Sequence, residues 1–371
     1  MRNYRVGVVG LYRGLGPARV FDLMPDCDVV AGCDIDARAL ERFGALFPQA
    51  RQYGAYDEML THGLDIVFVA SPVPLHCRHT VAALEAGCHV LQEVTLAGNI
   101  DECRQILAAV QAHPRQKFML AENCCYWAHI LSWREMWGQG LLGDFMYAEA
   151  EYIHDTRHLL RQADGSPTWR ASMPPMHYCT HSLGPLLKVT GERCVAASGM
   201  SVTSGFGRCR PHVGAFGNGQ RGDLPVRAKS GTEVAILQTA SGGVIKILVA
   251  FGITREPMFH YYSIYGTDGV LETSRPPTSP LQTNAWLDSV PHLNNMIEMP
   301  ITENVTDAPP EAAQGGHGTA EYMMIQDFVA SIRDDTPPPL DIHAALRMAL
   351  PGMCAHESAL NGGQMVEIPD W

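Results

Sequence analysis

The chain opens on the stretch that decides its fold, Tyr4-Arg5-Val6-Gly7-Val8-Val9-Gly10, which continues into Leu11-Tyr12-Arg13-Gly14-Leu15-Gly16. A short β-branched strand that ends in glycine and leads into a helix is typical of the first turn of a dinucleotide-binding domain. Such a turn needs glycine where the backbone bends and where it approaches a pyrophosphate. Gly10 and Gly14 meet that need, but Tyr12 stands where a middle glycine is expected. The glycine pattern is therefore an imperfect match, and a plain tight turn is the alternative.

The residues after this turn favour the dinucleotide interpretation, because strand and helix patterns alternate up to residue 123. Predicted strands cover residues 5–9, 29–33, 65–70, 89–93 and 118–121, and predicted helices cover residues 14–24, 36–47, 78–86 and 100–111. Such alternation indicates an α/β fold with a doubly wound parallel sheet, the Rossmann arrangement. Asp34 ends the second strand, where an acid accepts both ribose hydroxyls and repels a 2′-phosphate. The sequence therefore predicts NAD as the cofactor.

The pattern changes after residue 123. Strands are predicted at residues 146–152, 233–239, 243–251 and 260–266, helices at 133–137, 322–333 and 343–360, and long loops at 211–229 and 276–307. The strand spacing is typical of an antiparallel sheet. We therefore predict two domains: an NAD-binding Rossmann domain over residues 1–123, and an α+β domain with an open, mainly antiparallel sheet over residues 124–371. The second domain is expected to bind substrate and to form a dimer or tetramer.

Bulk properties narrow the functional classes. The chain has 371 residues and a net charge of -12, which argues against binding to nucleic acid or to an anionic membrane. The first strand begins so early that we expect no signal peptide. Eleven cysteines occur without a CxxC pair, which predicts free thiols in a reducing cytoplasm. His177 and His181 lack an evident third ligand, so no metal site is predicted.

Several phrases carry a resemblance to the Gfo/Idh/MocA oxidoreductases over essentially the whole chain. They are Ser71-Pro72 through His76, Ala82-Ala83-Leu84-Glu85-Ala86-Gly87-Cys88-His89-Val90, and Glu93. That family usually has Glu-Lys-Pro after the fourth strand, whereas this chain has Glu93-Val94-Thr95. The lysine that family members use near the reacting alcohol is Val94 here, and valine cannot transfer a proton. The substitution argues against ordinary dehydrogenase chemistry.

The resemblance implies where the cofactor binds. The candidate cofactor-binding residues are Gly10, Tyr12, Arg13, Gly14, Asp34, Ser71, Pro72, His76, Glu93 and Asn123. Glu93 is expected to face the nicotinamide pocket, with a simple strand-end cap as the alternative. His76 could equally open a helix without touching the cofactor.

Further motifs are similar to those of the NAD-dependent glycosidases, of which the α-N-acetylgalactosaminidases of glycoside hydrolase family 109 are the best known. These motifs are Glu122-Asn123-Cys124-Cys125-Tyr126, Tyr152-Ile153-His154-Asp155, His177-Tyr178-Cys179-Thr180-His181 with Leu183-Gly184-Pro185, and Gly316-His317-Gly318. Those glycosidases also tend to lack the lysine. The similarity implies a sugar site lined by Glu122, Tyr152, His154, Arg170, Tyr178 and His181. Arg170 is matched only through Trp169-Arg170.

Two more residues are candidate substrate contacts, each with an alternative. Tyr261 and Tyr262 lie on one predicted strand and point to opposite faces, so at most one can face the site, and we choose Tyr262. His317 lies between glycines and is either a substrate contact or an ordinary loop residue.

The side chains suit a cycle of oxidation and elimination. Oxidation of a glycoside at C3 makes the C2 proton acidic, its loss expels the aglycone from C1, water adds, and reduction at C3 completes the cycle. The catalytic candidates are His181, Tyr178, Tyr152 and His154, because environment can bring histidine and tyrosine pKa values towards neutrality. His181 is expected to serve the C3 hydroxyl, since dehydrogenases of the family keep a histidine there. The residue that removes the C2 proton is left open.

Three functions compete at this point: an NAD-dependent glycosidase, an NAD-dependent sugar or polyol dehydrogenase, and a non-catalytic sugar or nucleotide sensor. Val94 argues against the dehydrogenase, and the set of Tyr, His and Glu residues argues against the sensor. The sugar, its anomer and its leaving group cannot be read from the sequence.

Overall fold

A computed structural model describes residues 3–156, 159–160, 165–202, 231–251, 258–275, 282–302, 308–314 and 318–371. The chain divides into two compact units. The first contains Met1–Ala128 and Glu303–Leu346, and the second contains His129–Thr302 and Arg347–Trp371. The return of residues 303–346 to the first unit differs from the sequence division, which gave everything after residue 123 to the second domain.

The first unit is built around a six-stranded parallel sheet. Its elements up to residue 120 are β1 (Tyr4–Val9), α1 (Leu11–Asp22), β2 (Cys27–Cys33), α2 (Ala37–Leu46), β3 (Arg51–Tyr53), α3 (Tyr56–Leu60), β4 (Ile66–Val69), α4 (His76–Glu85), β5 (His89–Gln92), α5 (Ile100–Ala112) and β6 (Phe118–Leu120). The strand order is β3-β2-β1-β4-β5-β6. Because the order reverses between β1 and β4, the carboxyl ends of these strands form the crevice in which such folds bind nucleotides. The predicted Rossmann fold is confirmed.

The second unit carries a nine-stranded sheet. The remaining elements of the chain are α6 (Ala128–Gly138), β7 (Phe145–Ile153), α7 (Thr180–Thr190), β8 (Cys194–Ser201), β9 (Thr232–Thr239), β10 (Val244–Ala250), β11 (Phe259–Gly266), β12 (Gly269–Thr273), β13 (Thr283–Leu287), β14 (Ile297–Met299), α8 (Thr319–Arg333), α9 (Ile342–Leu360) and β15 (Val366–Glu367). The strand order of the sheet is β14-β13-β12-β11-β7-β10-β9-β8-β15. Among the pairings described within this nine-stranded sheet, only the β7–β10 pair is parallel, so the predicted, mainly antiparallel sheet is confirmed.

One face of this sheet is covered by α7, which packs against β7, β10 and β11. Burial alternates along β9, as expected when one face of a sheet packs on a core. A hairpin joins β9 to β10, and Gly242 adopts a φ of 95° in its turn. The end of β7 and the start of β11 pair with each other and lie under the start of α7. The predicted acid–base residues lie in this region.

The ten cysteines within the described residues are buried and form no disulfide among themselves. Among the described residues, no helix is both long enough and apolar enough to span a bilayer.

Candidate active site

The turn between β1 and α1 is shaped by two glycines. Gly10 has a φ of 88°, and a Cβ at this position would lie 2.4 Å from the carbonyl oxygen of Ala70. A Cβ on Gly14 would lie 2.6 Å from the Val8 side chain, so α1 packs closely on β1. The first turn of α1 reads Leu11-Tyr12-Arg13, without a carboxylate that would oppose a diphosphate at the helix N-terminus. This geometry fits a dinucleotide.

Asp34 holds its carboxylate beside this turn. Its Oδ2 accepts the backbone N–H of Leu11 at 2.7 Å, and its Oδ1 accepts that of Asp36 at 2.9 Å. These two bonds fix the carboxylate, and a carboxylate oxygen can still accept a further hydrogen bond from a ribose hydroxyl. The residues present therefore fit NAD, as the sequence predicts.

Tyr12 is accommodated because its side chain is engaged with α2. Its hydroxyl donates to Asp36 at 2.5 Å, and the Arg42 guanidinium lies 4.6 Å above its ring. The ring is mostly exposed. A bulky residue at the expected middle glycine is thus compatible with the turn.

Arg13 links the turn to the loop that follows β5. Its guanidinium pairs with Glu93 at 2.8 Å and also with Glu321, near the start of α8. Desolvation lowers the pKa of Arg13, but its attraction to Glu93 and Glu321 outweighs that effect and raises the pKa overall. The loop that lacks the family's lysine therefore still has a fixed cation beside its glutamate. Glu321 was missed by sequence reasoning, since it lies about three hundred residues further along the chain.

His76 ties two loops together. It opens α4, and its Nε2 and Nδ1 each lie 2.8 Å from a backbone carbonyl oxygen, those of Ser71 and Thr95 respectively. The side chain is buried. These contacts assign His76 to the support of the loops after β4 and β5, while direct contact with the cofactor stays a prediction for Ser71, Pro72 and His76.

Glu122 and Asn123 follow β6 in a buried turn. The Glu122 side chain caps this turn by accepting the Cys124 N–H at 3.2 Å. Asn123 is 2% exposed. The structure thus gives Glu122 a local structural contact, and the substrate and cofactor roles of the two residues stay predictions.

The second unit brings the four predicted acid–base residues together. Tyr152 lies near the end of β7, and its hydroxyl is 3.0 Å from Nδ1 of His154. Tyr178 ends a short 3₁₀ turn, and His181 lies in the first turn of α7. The His181 ring is 5.3 Å from the Tyr152 ring and 6.2 Å from the Tyr178 ring. These four residues, with His260 described below, are called the tyrosine–histidine cluster.

Arg170 joins this cluster through Tyr178. One guanidinium nitrogen donates to the Tyr178 hydroxyl at 3.1 Å, and the guanidinium lies 4.3 Å above the Trp169 ring. A cation at a phenol oxygen stabilises negative charge that develops there. Phe251 places an apolar ring 5.5 Å from Tyr152 and 5.6 Å from Tyr178, which keeps this charge in a weakly solvated setting.

Tyr262 lies beneath the cluster rather than at its surface. It is fully buried, and its hydroxyl donates to the His181 carbonyl oxygen at 2.6 Å. This contact indicates that Tyr262 holds the start of α7 in place, and its predicted role in substrate binding is left as a prediction. His317 lies outside the described residues.

His260 belongs to the site and was missed by sequence reasoning. Its ring stacks on Tyr152 with centroids 4.5 Å apart and planes 17° from parallel. The signal was present, because His260 and Tyr262 alternate on a predicted strand and so share a face.

Comparisons with known proteins match two consecutive parts of the chain to two family models. Residues 126–371 match the family model for the glycosyl hydrolase 109 C-terminal domain, and residues 4–121 match the model for an oxidoreductase family with an NAD-binding Rossmann fold. The first unit thus supplies an NAD site, and the chain is an enzyme of the oxidoreductase type.

Relatives of known family support the match at low identity. A glycosyl hydrolase family 109 protein from Solibacter usitatus is 27% identical over 319 residues, which cover 83% of this chain and 71% of the relative. Another from Saccharopolyspora erythraea is 25% identical over 391 residues, which cover 99% and 83% respectively.

Solved structures share the fold across both units. An oxidoreductase domain protein from Kribbella flavida has a TM-score of 0.82 at 21% identity, and levoglucosan dehydrogenase in complex with NADH and L-sorbose has a TM-score of 0.83 at 18% identity. In both comparisons, 100% of each chain is covered.

Proposed function

Because the chain belongs to glycosyl hydrolase family 109, we propose that it is an NAD-dependent glycosidase that cleaves its substrate through transient oxidation at C3. The observation that carries this proposal is the tyrosine–histidine cluster, in which Tyr152, His154, Tyr178 and His181 meet within one unit. Four neighbouring groups able to move protons suit a cycle with several proton transfers.

NAD, when bound, supplies a reversible two-electron oxidation at C3, so the full cycle has no net redox change. His181 receives the proton of the C3 hydroxyl at the start and returns it at the end. Its backbone is held from below, because the Tyr262 hydroxyl donates to its carbonyl oxygen. This bond fixes the point from which the imidazole extends during both transfers.

Tyr152 is the best supported base for C2. The C3 ketone makes the C2 proton acidic, and Nδ1 of His154 lies at hydrogen-bond distance to accept the phenol proton of Tyr152. Loss of the C2 proton forms a double bond between C1 and C2 as the C1–O bond breaks and the aglycone leaves. Water then adds at C1, and the proton returns to C2.

Tyr178 suits the leaving group. A departing alkoxide needs a proton, and the Arg170 guanidinium beside the Tyr178 hydroxyl stabilises the phenolate that remains after donation. Arg170 is thus a positioning and charge-stabilising residue in this proposal, and it also lies where a polar group of the sugar could be bound.

A sugar or polyol dehydrogenase is the alternative function, because levoglucosan dehydrogenase shares the fold. At 18% identity, however, that similarity shows the fold alone. Val94 is buried and carries no titratable group in the loop where family dehydrogenases use lysine. The match of residues 126–371 to the glycosidase C-terminal domain also favours the glycosidase.

The test is a panel of nitrophenyl glycosides assayed with and without added NAD, followed by hydrolysis of an active glycoside in D₂O. We expect cleavage that depends on NAD, and deuterium at C2 of the released sugar. A glycosidase that uses two carboxylates would show neither feature. Cleavage without NAD, an unlabelled C2, or steady NADH build-up on free sugars would contradict the proposal.

A further inference from the structure

The cluster contains a histidine whose ring is stacked on Tyr152, the proposed C2 base. His260 on β11 is the direct cross-strand neighbour of Tyr152 on β7, so both side chains rise from the same face of the sheet. Their rings are stacked 4.5 Å apart, and both are almost fully buried. An imidazole in this position interacts with the face of the phenol ring, so its charge affects the energy of a negative charge on the phenol.

Tyr262 fixes the orientation of this imidazole. Its hydroxyl lies 2.6 Å from the His181 carbonyl oxygen and 3.3 Å from Nδ1 of His260. A hydroxyl has one proton, and the carbonyl can only accept, so the shorter contact takes that proton. The Tyr262 oxygen then accepts from Nδ1–H of His260, which assigns the ring proton to Nδ1 and places the basic lone pair of the neutral ring on Nε2.

We propose that His260 is a positioning residue for Tyr152, which stabilises the Tyr152 phenolate and thereby makes Tyr152 the base that removes the C2 proton. The inference rests on the proposed glycosidase function. When Nε2 also takes up a proton, the resulting imidazolium attracts the electron-rich face of the phenol ring, and that attraction increases when the phenol loses its proton. His260 needs no contact with the sugar for this role.

The same geometry connects His260 to the other acid–base groups around it. Tyr152 of β7 stacks on it and contacts His154 in turn, and His181 approaches from α7 with its ring 6.2 Å away and 73° from parallel. Tyr262 joins His260 to the backbone of His181. The charge that His260 gains with a proton therefore acts most directly on the stacked Tyr152.

The experiment compares His260→Phe, which retains an aromatic ring without a proton, with His260→Gln, which retains a hydrogen-bond donor without a ring. The control is Tyr261→Phe, since Tyr261 lies next to His260 but points to the opposite face, towards Glu272 and Arg275. Single-turnover kinetics with a glycoside would follow NADH formation for the C3 step, and aglycone release with C2 exchange in D₂O for the C2 step. We expect both His260 variants to slow the C2 step about tenfold or more with NADH formation kept, and Tyr261→Phe to match the wild type.

A second measurement does not depend on activity. Tyrosine ring-carbon NMR of the unliganded protein, assigned by the signal lost in Tyr152→Phe, follows ionisation of Tyr152 with pH. Protonation of His260 should add a step to the pH profile of the Tyr152 signal, and His260→Phe and His260→Gln should both remove that step. A Tyr152 signal with the same pH profile in the wild type and in folded His260→Phe would overturn the inference, as would loss of NADH formation instead of C2 exchange. If the wild type cleaves no glycoside, the proposed function falls, and the Tyr152 titration still decides the role of His260.

Discussion

Each residue of the tyrosine–histidine cluster has a separate part in the proposed cycle, so single substitutions should stop it at different steps. Tyr152→Phe, His154→Ala, Tyr178→Phe and His181→Ala should each lower turnover about 10²–10⁴-fold, because each removes a positioned acid or base. His181→Ala should form no NADH on mixing with glycoside, since it has lost the C3 step. Tyr152→Phe should form NADH and release no aglycone. Rapid mixing that follows NADH and aglycone absorbance separates these outcomes.

The control for this series is Tyr265→Phe. Tyr265 lies on β11 with its ring 5.6 Å from that of Tyr147, on the face of the sheet opposite to His260. It should turn over like the wild type. A His181→Ala protein that still forms NADH at the wild-type rate would refute the role given to that histidine.

Val94 is the second position at which one residue decides between functions. The side chain is buried beside Glu93, whose carboxylate already pairs with Arg13. Val94→Lys should lower glycoside cleavage at least about tenfold, because it brings a charge into a site built around an apolar residue. Val94→Met introduces a side chain about as long as that of lysine but without a charge, so it should lose much less of the glycoside cleavage. The dehydrogenase alternative would be favoured if the wild type produced NADH steadily from free sugars and Val94→Lys increased this activity.

At the scale of elements, the β1–α1 turn is the most constrained connection of the first unit. A Cβ on Gly10 would collide with the Ala70 carbonyl, and the φ of 88° disfavours any side chain. Gly10→Ala should therefore destabilise the first unit by more than about 1 kcal/mol and weaken NAD binding, because the turn must move. Gly54→Ala is the matched control, since a Cβ there meets nothing within 4 Å. Thermal unfolding and NAD calorimetry on both variants test this, and normal NAD affinity in Gly10→Ala would show that the turn is adaptable.

The elements predicted correctly from sequence are those with a strong local period. The parallel strands of the first unit are short, apolar and bounded by turn residues, and their helices have clear starts and stops. The helix α7 was not predicted, because Gly184 and Pro185 interrupt its middle and its start has no side-chain cap. Its apolar side chains pack on the sheet, and this tertiary burial outweighs the weak local preference.

In the candidate site, too, local pattern could be predicted from the sequence and tertiary packing could not. The proximity of Tyr152 to His154 follows from alternation along one strand, and that of Tyr178 to His181 follows from their spacing along the chain. The contact of Arg170 with Tyr178 and the stacking of His260 on Tyr152 depend on how separate elements pack. A single sequence does not show how separate elements pack. Arg170 was therefore assigned to the site only through the family resemblance, its contact with Tyr178 was not predicted, and His260 was missed.

At the scale of the whole molecule, the chain returns to its first unit after residue 302. The helix α8 packs against α1 and against the turn after β6, and its Glu321 pairs with Arg13 of the cofactor turn. A division of the sequence by changes in pattern follows chain order and cannot detect such a return. The residues that hold the cofactor turn in place are therefore drawn from both ends of the sequence.

A redox-neutral cycle has a consequence for the purified protein. Since NAD is regenerated in each turnover, nothing in the cycle requires its release, and Asp34 with Asp36 places two carboxylates where a 2′-phosphate would be repelled. We therefore expect the protein to carry NAD when purified. Mass spectrometry of the supernatant after denaturation tests this expectation. Only NADP, or no nucleotide together with no measurable NAD affinity, would contradict it.

The last prediction concerns stability against acid, and it depends on histidines buried in both units. Burial, with the charge of Arg78, lowers the pKa of His79 to about 4, and burial lowers the pKa of His129 to about 3. An unfolded histidine takes up a proton near pH 6.5, so below that pH the unfolded chain binds more protons than the native protein, and the free energy of unfolding decreases with falling pH until the native pKa is reached. Each such histidine removes up to about 1.4 kcal/mol per pH unit in that window. The melting temperature should fall steadily from pH 6.5 to pH 4, and less steeply in His129→Phe. A melting temperature that stays constant across this range would show that these histidines become protonated without loss of native packing.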